Sequence, residues 1–386
     1  MMLGFLLARA GVEVIVLEKH ADFLRDFRGD TIHPSTLELM YELGILEDFL
    51  KRPHQEVSEL AGQISGQMLK LADFTHLPTH CKFLALMPQW DFLNFLVEQG
   101  RRYPGFQVKM QAEATDLITQ NGRIIGVRAK TPDSGLEIRS TLTVGADGRH
   151  SVIRERAGLE VMDLGAPMDV LWMRISRRPT DPGQTLGSIA AGKIFIMLDR
   201  EDYWQCGFVI PKGASDEIRK RGLEQFREDV AHLAPFLGER VNELRDWKDV
   251  SLLTVKVDRL RQWWRSGLLC IGDAAHAMSP IGGVGINLAV QDAVAAANLL
   301  SSRLKAGNVN DLDLSAVQRR REFPTRATQR LQLAIQNNVI RQVLSSSQPL
   351  SVPLLLRLMQ RWPLLRRIPA RVIGVGFRPE HIRTPA

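Results

Sequence analysis

The sequence feature that most constrains the fold is GLLCIGDAAHAMSPIGGVGINLAVQDAVAAANLL, residues 267–300. An apolar run at 268–271 predicts a buried strand that delivers Asp273 to a loop. Pro280 stiffens this loop, glycines within 282–285 remove side chains from it, and a long alanine-rich helix begins near Ile286. A helix N-terminus behind a glycine loop presents free N–H groups and the positive end of the helix dipole. The stretch therefore predicts a site for negative charge on a ring or a phosphate.

A second stretch, LTVGADGRHSVIRERAG at 142–158, predicts a strand, a tight turn and the start of a helix. Gly145 and Gly148 permit the turn and a close backbone approach. The Asp147 carboxylate can accept hydrogen bonds from a ribose or from backbone donors. Asp-Gly pairs also occur in ordinary turns, so these residues alone are weak evidence. The full string, with Ser151 and Arg154 at their spacings, is far more specific.

The chain opens with MMLGFLLARAGVEVIVLEKH, which predicts a helix, a turn at Gly11 and a short strand that ends at Glu18. Dinucleotide-binding folds place an acid there to accept hydrogen bonds from the adenosine ribose. Such folds begin with a strand and a G-x-G-x-x-G loop for the pyrophosphate. Neither precedes the helix, and the GGVG at 282–285 belongs to the first motif. We therefore expect an N-terminally truncated dinucleotide-binding unit.

Composition sets broad limits on the class of protein. A chain of 386 residues that is 45% apolar and 24% charged is typical of a globular protein with one or two domains. A formal charge of +7 decides neither nucleic-acid nor membrane binding, and we predict no nucleic-acid partner. Because Cys81, Cys206 and Cys270 are far apart and odd in number, we expect reduced thiols, a cytoplasmic location and no metal site.

The order of the predicted elements indicates a domain assembled from separated stretches of chain. Helix and strand signals alternate over 1–160, with a hairpin signal at Asn121-Gly122. Longer antiparallel strands are predicted over 161–255, and α/β signals return at 256–330. The tail, 331–386, is predicted to be helical. No stretch has the roughly 18 uninterrupted apolar residues of a membrane-spanning helix.

The apolar and basic part of the tail, LSVPLLLRLMQRWPLLRRIPARVIGVGF, permits two interpretations. Its helices can pack on the body of the protein, which is the simpler interpretation. Alternatively, they can make weak contact with a membrane surface, because Arg and apolar residues alternate along them.

Taken together, these strings resemble a known family. GADGRHSVIRERAG and CIGDAAHAMSPIGGVGINLAVQDA are similar to two signatures of the FAD-dependent aromatic hydroxylases, the para-hydroxybenzoate hydroxylase-like flavoprotein monooxygenases. FRGDTIHPSTLELMYELG and MPQWDFLNFL resemble other cofactor-contacting segments of that family. The resemblance covers nearly the whole chain.

The resemblance implies a fold class and a cofactor. The fold would be α/β, with a Rossmann-like FAD-binding domain of glutathione-reductase type interleaved with an antiparallel β-sheet substrate domain, followed by C-terminal helices. The FAD-binding domain would comprise 1–160 and 256–330, and the substrate domain 161–255 with a contribution from 55–85. FAD would be the cofactor and NAD(P)H the co-substrate.

The resemblance also implies which residues bind the cofactor: Glu18, Lys19, Arg28, Gln89, Ala114, Asp147, Asp273, Pro280, Gly282, Gly283, Val284, Gly285, Ile286 and Asn287. Glu18 would bind the adenosine ribose, and Ala114 would meet the adenine through its main chain. Arg28 and Gln89 would reach the pyrophosphate or ribityl region.

The remaining positions would serve the flavin end. Asp147 would belong to a segment that handles both FAD and NADPH, and Asp273 would bind the ribityl chain. Pro280 would lie against the flavin face, with backbone donors of 282–287 near N1 and O2 of the ring.

The resemblance implies that NAD(P)H reduces the flavin, that O2 adds to give a C4a-hydroperoxide, and that OH is transferred to an aromatic or quinone-like substrate. We predict Trp172, Tyr203 and Phe208 at the substrate pocket. No catalytic acid or base is assigned, although His33, His276 and Tyr203 are candidates. The alternatives are a related FAD-dependent oxidoreductase or reductase of lipid-like substrates, and a truncated, flavin-free protein without enzymatic activity. The oligomeric state is not predicted.

Overall fold

The computed structural model describes residues 1–24, 31–64, 66–182, 186–348 and 351–385. The helices are α1 Met2–Arg9, α2 Pro34–Glu42, α3 Leu46–Leu50, α4 Gln89–Gly100, α5 Val152–Arg156, α6 Ser215–Arg221, α7 Leu223–Leu233, α8 Gly285–Lys305, α9 Asp311–Ile335, α10 Arg341–Ser345, α11 Leu354–Arg361 and α12 Arg367–Gly374. The strands are β1 Val14–Leu17, β2 Thr31–Ile32, β3 Gln55–Val57, β4 Glu59–Ile64, β5 Gln67–Asp73, β6 Leu84–Leu86, β7 Phe106–Lys109, β8 Glu113–Gln120, β9 Arg123–Lys130, β10 Gly135–Arg139, β11 Thr143–Gly145, β12 Val161–Asp163, β13 Met168–Ser176, β14 Leu186–Ala190, β15 Lys193–Asp199, β16 Tyr203–Pro211, β17 Ser251–Leu253, β18 Asp258–Leu260, β19 Trp264–Arg265 and β20 Leu268–Cys270.

Two parallel ladders carry positions predicted at the cofactor. β1 pairs with β7, and β11 pairs with β20, so Glu18 follows one ladder while Asp147 and Asp273 follow the other. In α/β sheets, ligands bind outside the carboxyl ends of the strands. In the described part of the chain, β1 and β11 each pair along one edge only, and Ile15 of β1 is 41% exposed. The two ladders are therefore separate hydrogen-bonded units.

Glycine lets two helices pack closely on the β1–β7 ladder. A Cβ added at Gly4 of α1 would lie 2.8 Å from Val16 Cγ2, and one at Gly100 of α4 would lie 2.6 Å from the Phe106 ring. α1 also contacts α8, and the core between them contains the fully buried Leu6 and Val294. This core holds α8 in place, and with it the glycine loop that precedes it.

A seven-stranded sheet in the order β17-β13-β16-β15-β14-β4-β5 forms the second part of the molecule. All its pairs are antiparallel except β14–β4. The alternation of side chains in β13 points Leu171 toward α6 and α7 and points Val170 and Trp172 to the opposite face. That opposite face packs against Ile281, in the turn before α8. The sheet therefore meets the glycine loop directly.

The C-terminal part contacts both the seven-stranded sheet and the helices of the predicted FAD-binding part. α9 runs through residue 331, where the tail is predicted to begin, and continues through the π-helical turn Gln336–Ile340 into α10. α11 and α12 pack on β5, at the edge of the seven-stranded sheet. Near the C-terminus, the Thr384 carbonyl accepts a hydrogen bond from Arg9 Nη1 of α1 at 3.1 Å. Among the described residues one helical segment, Ile281–Lys305, is long and apolar enough to cross a membrane, and 56% of its most apolar window is buried inside the protein.

Candidate functional site

The turn before α8 depends on two glycines. Gly282 and Gly283 have φ angles of 77° and 61°, in the left-handed region that favours glycine. A Cβ added at Gly283 would lie 2.8 Å from Thr31 Oγ1 of β2, closer than side chains tolerate. The loop therefore lies directly on β2. Pro280, predicted at the flavin face, and Gly282, predicted among the backbone donors, are exposed on its outer side.

The buried Asn287 side chain joins the first turn of α8 to β2 and α2. Its Oδ1 accepts hydrogen bonds from His33 N at 2.9 Å and from Thr36 Oγ1 at 2.8 Å. Its Nδ2 donates to the carbonyl oxygens of Thr31 at 2.9 Å and Gly283 at 3.2 Å. The side chain is fully used within the protein, so Asn287 can offer a cofactor only its main chain.

The start of α8 supplies hydrogen-bond donors beside a carboxylate. The helix begins at Gly285, where no side chain among the described residues caps it. The first N–H groups of a helix have no acceptor inside it. These include the N–H groups of Ile286 and Asn287. Asp273 lies beside them, because a Cβ added at Gly285 would be 4.0 Å from Asp273 Oδ1. Arg149 Nη2 lies 4.0 Å from Asp273 Oδ2, so both signs of charge meet at this helix end.

Asp147 shapes the turn of the second motif. Its Oδ1 accepts a hydrogen bond from Ser151 Oγ at 2.5 Å, and its Oδ2 accepts one from Ile153 N at 3.1 Å. The second bond satisfies one free N–H group at the start of α5, and the N-cap Ser151 accepts from Arg154 N at 2.9 Å. The buried Arg154 guanidinium donates to Asp258 at 3.4 Å and holds the turn against β18. The spacing of Ser151 and Arg154 therefore serves the turn itself and leaves Asp147 exposed beside the carboxyl end of β11.

The predicted adenosine positions meet at the carboxyl end of β1. Glu18 is half-buried, and its Oε1 accepts a hydrogen bond from His20 N at 3.0 Å. Its carbonyl accepts one from Ala112 N at 2.9 Å, which brings the start of β8 and Ala114 to the end of β1. Lys19 is exposed next to Glu18. The structure thus places Glu18, Lys19 and Ala114 in one region.

Gln89, predicted at the pyrophosphate or ribityl region, follows a strand that neighbours β2. It begins α4, three residues after Leu86 of β6, and Leu86 pairs with Thr31 of β2. Thr31 is the residue that contacts Gly283 of the glycine loop. Gln89 and the loop are therefore connected through two neighbouring strands. Arg28, predicted at the pyrophosphate or ribityl region, lies outside the described residues.

Two of the three predicted substrate residues share the face of the sheet that meets the glycine loop. Trp172 packs in the same apolar cluster as Ile281. Tyr203 lies on the same face by register, and the Arg174 guanidinium is 4.7 Å from its ring centroid. Phe208 instead belongs to the core beneath α7, on the opposite face. The structure therefore places Trp172 and Tyr203 on the same face of the sheet and Phe208 on the opposite face.

A cavity of about 100 Å³ lies between the glycine loop, α9 and α12, and Ile281, Leu331 and Ile373 are among its lining residues. His33, at its wall, is 1% exposed, with Nδ1 2.7 Å from the Ile373 carbonyl oxygen. Burial lowers the pKa of His33 to about 4, although backbone hydrogen bonds to Ile373 and Gly282 oppose this. The imidazole is therefore neutral at pH 7 and donates its Nδ1 hydrogen to the Ile373 carbonyl of α12.

A buried charged cluster behind the glycine loop is missing from the predicted site. Asp292 of α8 accepts hydrogen bonds from His276 Nε2 at 2.6 Å, Gly272 N at 3.0 Å and Arg321 Nε at 2.9 Å. Arg321 also lies 3.3 Å from Glu380. Burial raises the pKa of Asp292, but His276 and Arg321 outweigh this and hold it below its usual range. The cluster fixes the end of β20 to α8 and α9.

Comparison with known proteins decides the family. The model of a family described as "FAD binding domain" matches residues 1–331. The chain belongs to this family. It is 33% identical over 339 residues to the 6-methylpretetramide 4-monooxygenase of Streptomyces rimosus, which covers 86% of this chain and 79% of that relative.

Two solved structures show the same fold. PqsL of Pseudomonas aeruginosa, in complex with 2-aminobenzoylacetate, has a TM-score of 0.75 at 21% identity, over 89% of this chain and 94% of that one. The anhydrotetracycline hydroxylase OxyS of Streptomyces rimosus has a TM-score of 0.75 at 20% identity, over 97% of this chain and 73% of that one. The predicted fold class, an FAD-binding α/β domain with an interleaved sheet domain, is confirmed.

The family assignment establishes the cofactor and the reaction class. The protein is an FAD-dependent monooxygenase, with FAD as cofactor and NAD(P)H as co-substrate. The residues present fit FAD, because the first N–H groups of α8 have no acceptor inside the helix and lie beside Asp273. An open helix N-terminus of this kind suits the negative charge of a reduced flavin ring.

Proposed function

We propose that the substrate is an aromatic or quinone-like molecule, hydroxylated between the glycine loop and the sheet face that carries Trp172 and Tyr203. The observation that carries the proposal is that Trp172 and Ile281 pack against the same apolar cluster, because this cluster joins an aromatic face of the sheet to the predicted flavin loop. An aromatic wall of this kind suits a planar ring. The 33%-identical relative, named for 6-methylpretetramide, supports the substrate class.

We assign the cofactor contacts as follows. Glu18 accepts hydrogen bonds from the adenosine ribose, with Lys19 and Ala114 beside it, and Asp273 holds the ribityl chain. Backbone N–H groups at the start of α8 stabilise negative charge on the ring, and Pro280 covers one flavin face. Bound FAD supplies hydride acceptance from NAD(P)H and the activation of O2.

We assign no protein acid or base to oxygen transfer. His33 is neutral and bonded to the Ile373 carbonyl, and His276 is bonded to Asp292, so both hold the backbone in place. The main contribution of the chain is to position the two rings and to exclude water between them.

The proposal is tested with FAD-loaded protein and a panel of phenols, polycyclic phenols and quinone precursors. We expect an aromatic compound to stimulate aerobic NAD(P)H oxidation and to be converted to a hydroxylated product. Trp172→Leu should raise the KM for that compound more than it lowers kcat, whereas Trp247→Leu, beside the core beneath α7, should change neither. Product formed without O2 would instead indicate a reductase of lipid-like molecules.

We further propose a cytoplasmic location and a weak membrane-surface contact through the C-terminal helices. The location is supported by the free, buried thiols of Cys81, Cys206 and Cys270, as expected in a reducing compartment. The membrane contact is supported by the exposed Leu354 and Trp362, which lie on the outside of the protein next to arginines. Sedimentation with lipid vesicles tests this contact.

A further inference from the structure

Residues 351–379, here named the C-terminal arm, present an exposed surface that the oxygenation reaction does not use. The arm carries six arginines and no Asp or Glu. Its large exposed apolar side chains are Leu354 72%, Leu355 65%, Leu358 37%, Trp362 60%, Leu364 65% and Ile368 63%. Single exposed apolar residues are ordinary, but a group of this size on one short segment marks an interaction surface.

Other residues of the arm attach it to the body of the protein. The exposed side chains lie on the side of the arm that faces away from the body. Gln360 Nε2 donates to the Lys70 carbonyl at 2.8 Å, and Gln360 Oε1 accepts from Lys70 N at 3.2 Å, at the edge strand β5. Ala370 is fully buried. A Cβ added at Gly374 would lie 2.7 Å from Leu77 Cδ1, so α12 packs tightly against the body.

The outer surface separates apolar and basic side chains as an interfacial helix does. Successive residues of a helix are about 100° apart, which places Leu354, Leu355 and Leu358 in one sector of α11 and Arg357 and Arg361 in the next. The same rotation places Ile368 of α12 beside its two exposed arginines, at 367 and 371. Helices with this division lie in the plane of a membrane surface, with the arginines at the headgroups.

We propose that the C-terminal arm docks on a bilayer that contains anionic lipids. This inference rests on the proposed membrane contact and names its lipid class and its face. The charge of the arm favours this occupant, because each arginine is attracted by anionic headgroups. A symmetric contact between two copies would instead bring two arginine-rich surfaces together without a carboxylate in either arm.

The test is sedimentation of the full-length, FAD-loaded protein with vesicles of phosphatidylcholine alone and of phosphatidylcholine with phosphatidylglycerol. We expect binding to the anionic vesicles to be at least about tenfold tighter and to weaken with salt. R357Q/R361Q/R367Q/R371Q should abolish the preference, and L354S/W362S/L364S should abolish binding. A control with the same loss of charge at exposed positions elsewhere, R101Q/R139Q/K220Q/R221Q, should bind as the wild type does.

The variants change exposed side chains, so their melting temperatures and NAD(P)H oxidation should match those of the wild type. Equal binding to both vesicle types, unaffected by the arginine changes, would overturn the lipid class while the membrane contact stands. A dimer that binds no vesicle and is lost in L354S/W362S/L364S would assign the surface to a second copy and overturn the proposal. A monomer that binds no vesicle would overturn both proposals.

Discussion

Asn287 Oδ1 accepts a hydrogen bond from the backbone N–H of His33 at 2.9 Å, across 254 residues of sequence. This bond ties the first turn of α8, which follows the glycine loop, to the segment between β2 and α2. Because two adjacent residues of the loop are glycines, its position depends on this neighbour, on Thr31 and on the Ile281 side chain, which packs against the sheet. The backbone donors of the proposed flavin site are therefore positioned by the bonds that the Asn287 side chain makes to the β2–α2 segment.

Asn287→Ala should weaken both folding and FAD binding. It leaves the His33 N–H, the Thr36 hydroxyl and the Thr31 carbonyl without their buried partner, which we expect to cost about 2–4 kcal/mol of unfolding free energy. Urea denaturation and FAD titration measure the two effects. Asn308→Ala, at an exposed position after α8, is the control and should change neither. Unchanged FAD affinity in Asn287→Ala would show that this side chain does not position the donors that bind FAD.

Gly283→Ala should displace the glycine loop. The new Cβ would overlap Thr31. The matched change is Gly307→Ala, because Gly307 has a similar positive φ, 65°, and a Cβ added there would have no atom of the described residues within 4 Å. Both variants carry the strain of a left-handed backbone, about 1–2 kcal/mol. Only Gly283→Ala adds the overlap, so it should also lower FAD affinity at least about tenfold. Equal FAD affinity in the two variants would contradict the assigned position of the loop.

The buried His33 should make stability fall in acid. Its pKa is about 4 in the folded protein and 6.5 in the unfolded chain, so only the unfolded chain gains a proton between these values. The contribution is complete above pH 6.5 and is lost as pH falls toward 4, by about 3 kcal/mol in total. Urea denaturation measured between pH 4 and 6.5 checks this: the unfolding free energy should change less with pH in His33→Asn than in the wild type. His232→Asn, at an exposed site on α7, should show the pH dependence of the wild type.

Arg321→Ala should be much more destabilising than Arg320→Ala. Arg321 is 1% exposed, and its loss leaves Asp292 and Glu380 buried without this partner, which we expect to cost about 3–5 kcal/mol. Arg320 bonds to the same Glu380 at 2.6 Å but is partly exposed, so its removal should cost about 1 kcal/mol or less. Similar unfolding free energies for the two variants would show that the cluster does not hold α8 and α9 together.

Local signals made much of the fold predictable. The apolar run at 268–271 contains β20, and the glycine-rich loop is followed by a helix that begins at Gly285, next to the predicted Ile286. The Glu18 position follows a strand, as its sequence indicates. The family resemblance then supplied FAD, which the family match confirms.

The faces taken by the strand residues and the contacts between distant residues could not be predicted from local signals. Trp172 and Phe208 are both aromatic residues in strands of one sheet, and only the alternation of side chains decides which face each takes. Because both faces are covered, apolar content does not reveal that choice. The Asp292–Arg321–Glu380 cluster joins residues far apart in sequence, and Arg321 lies in a helix where charged residues are common. The sequence signal for this cluster was Asp292 itself, which lies in the QDA at 291–293 of the first motif.

The central claim is that this protein transfers an oxygen atom from O2 to an aromatic substrate, and isotope labelling tests it most directly. FAD-loaded protein is supplied with NAD(P)H, oxygen-18 gas and the compound that most stimulates NAD(P)H oxidation, and the product is measured by mass spectrometry. We predict one oxygen-18 atom in the new hydroxyl group, none from labelled water, and no product without O2. Product that forms without O2, or that carries oxygen from water alone, would contradict the claim.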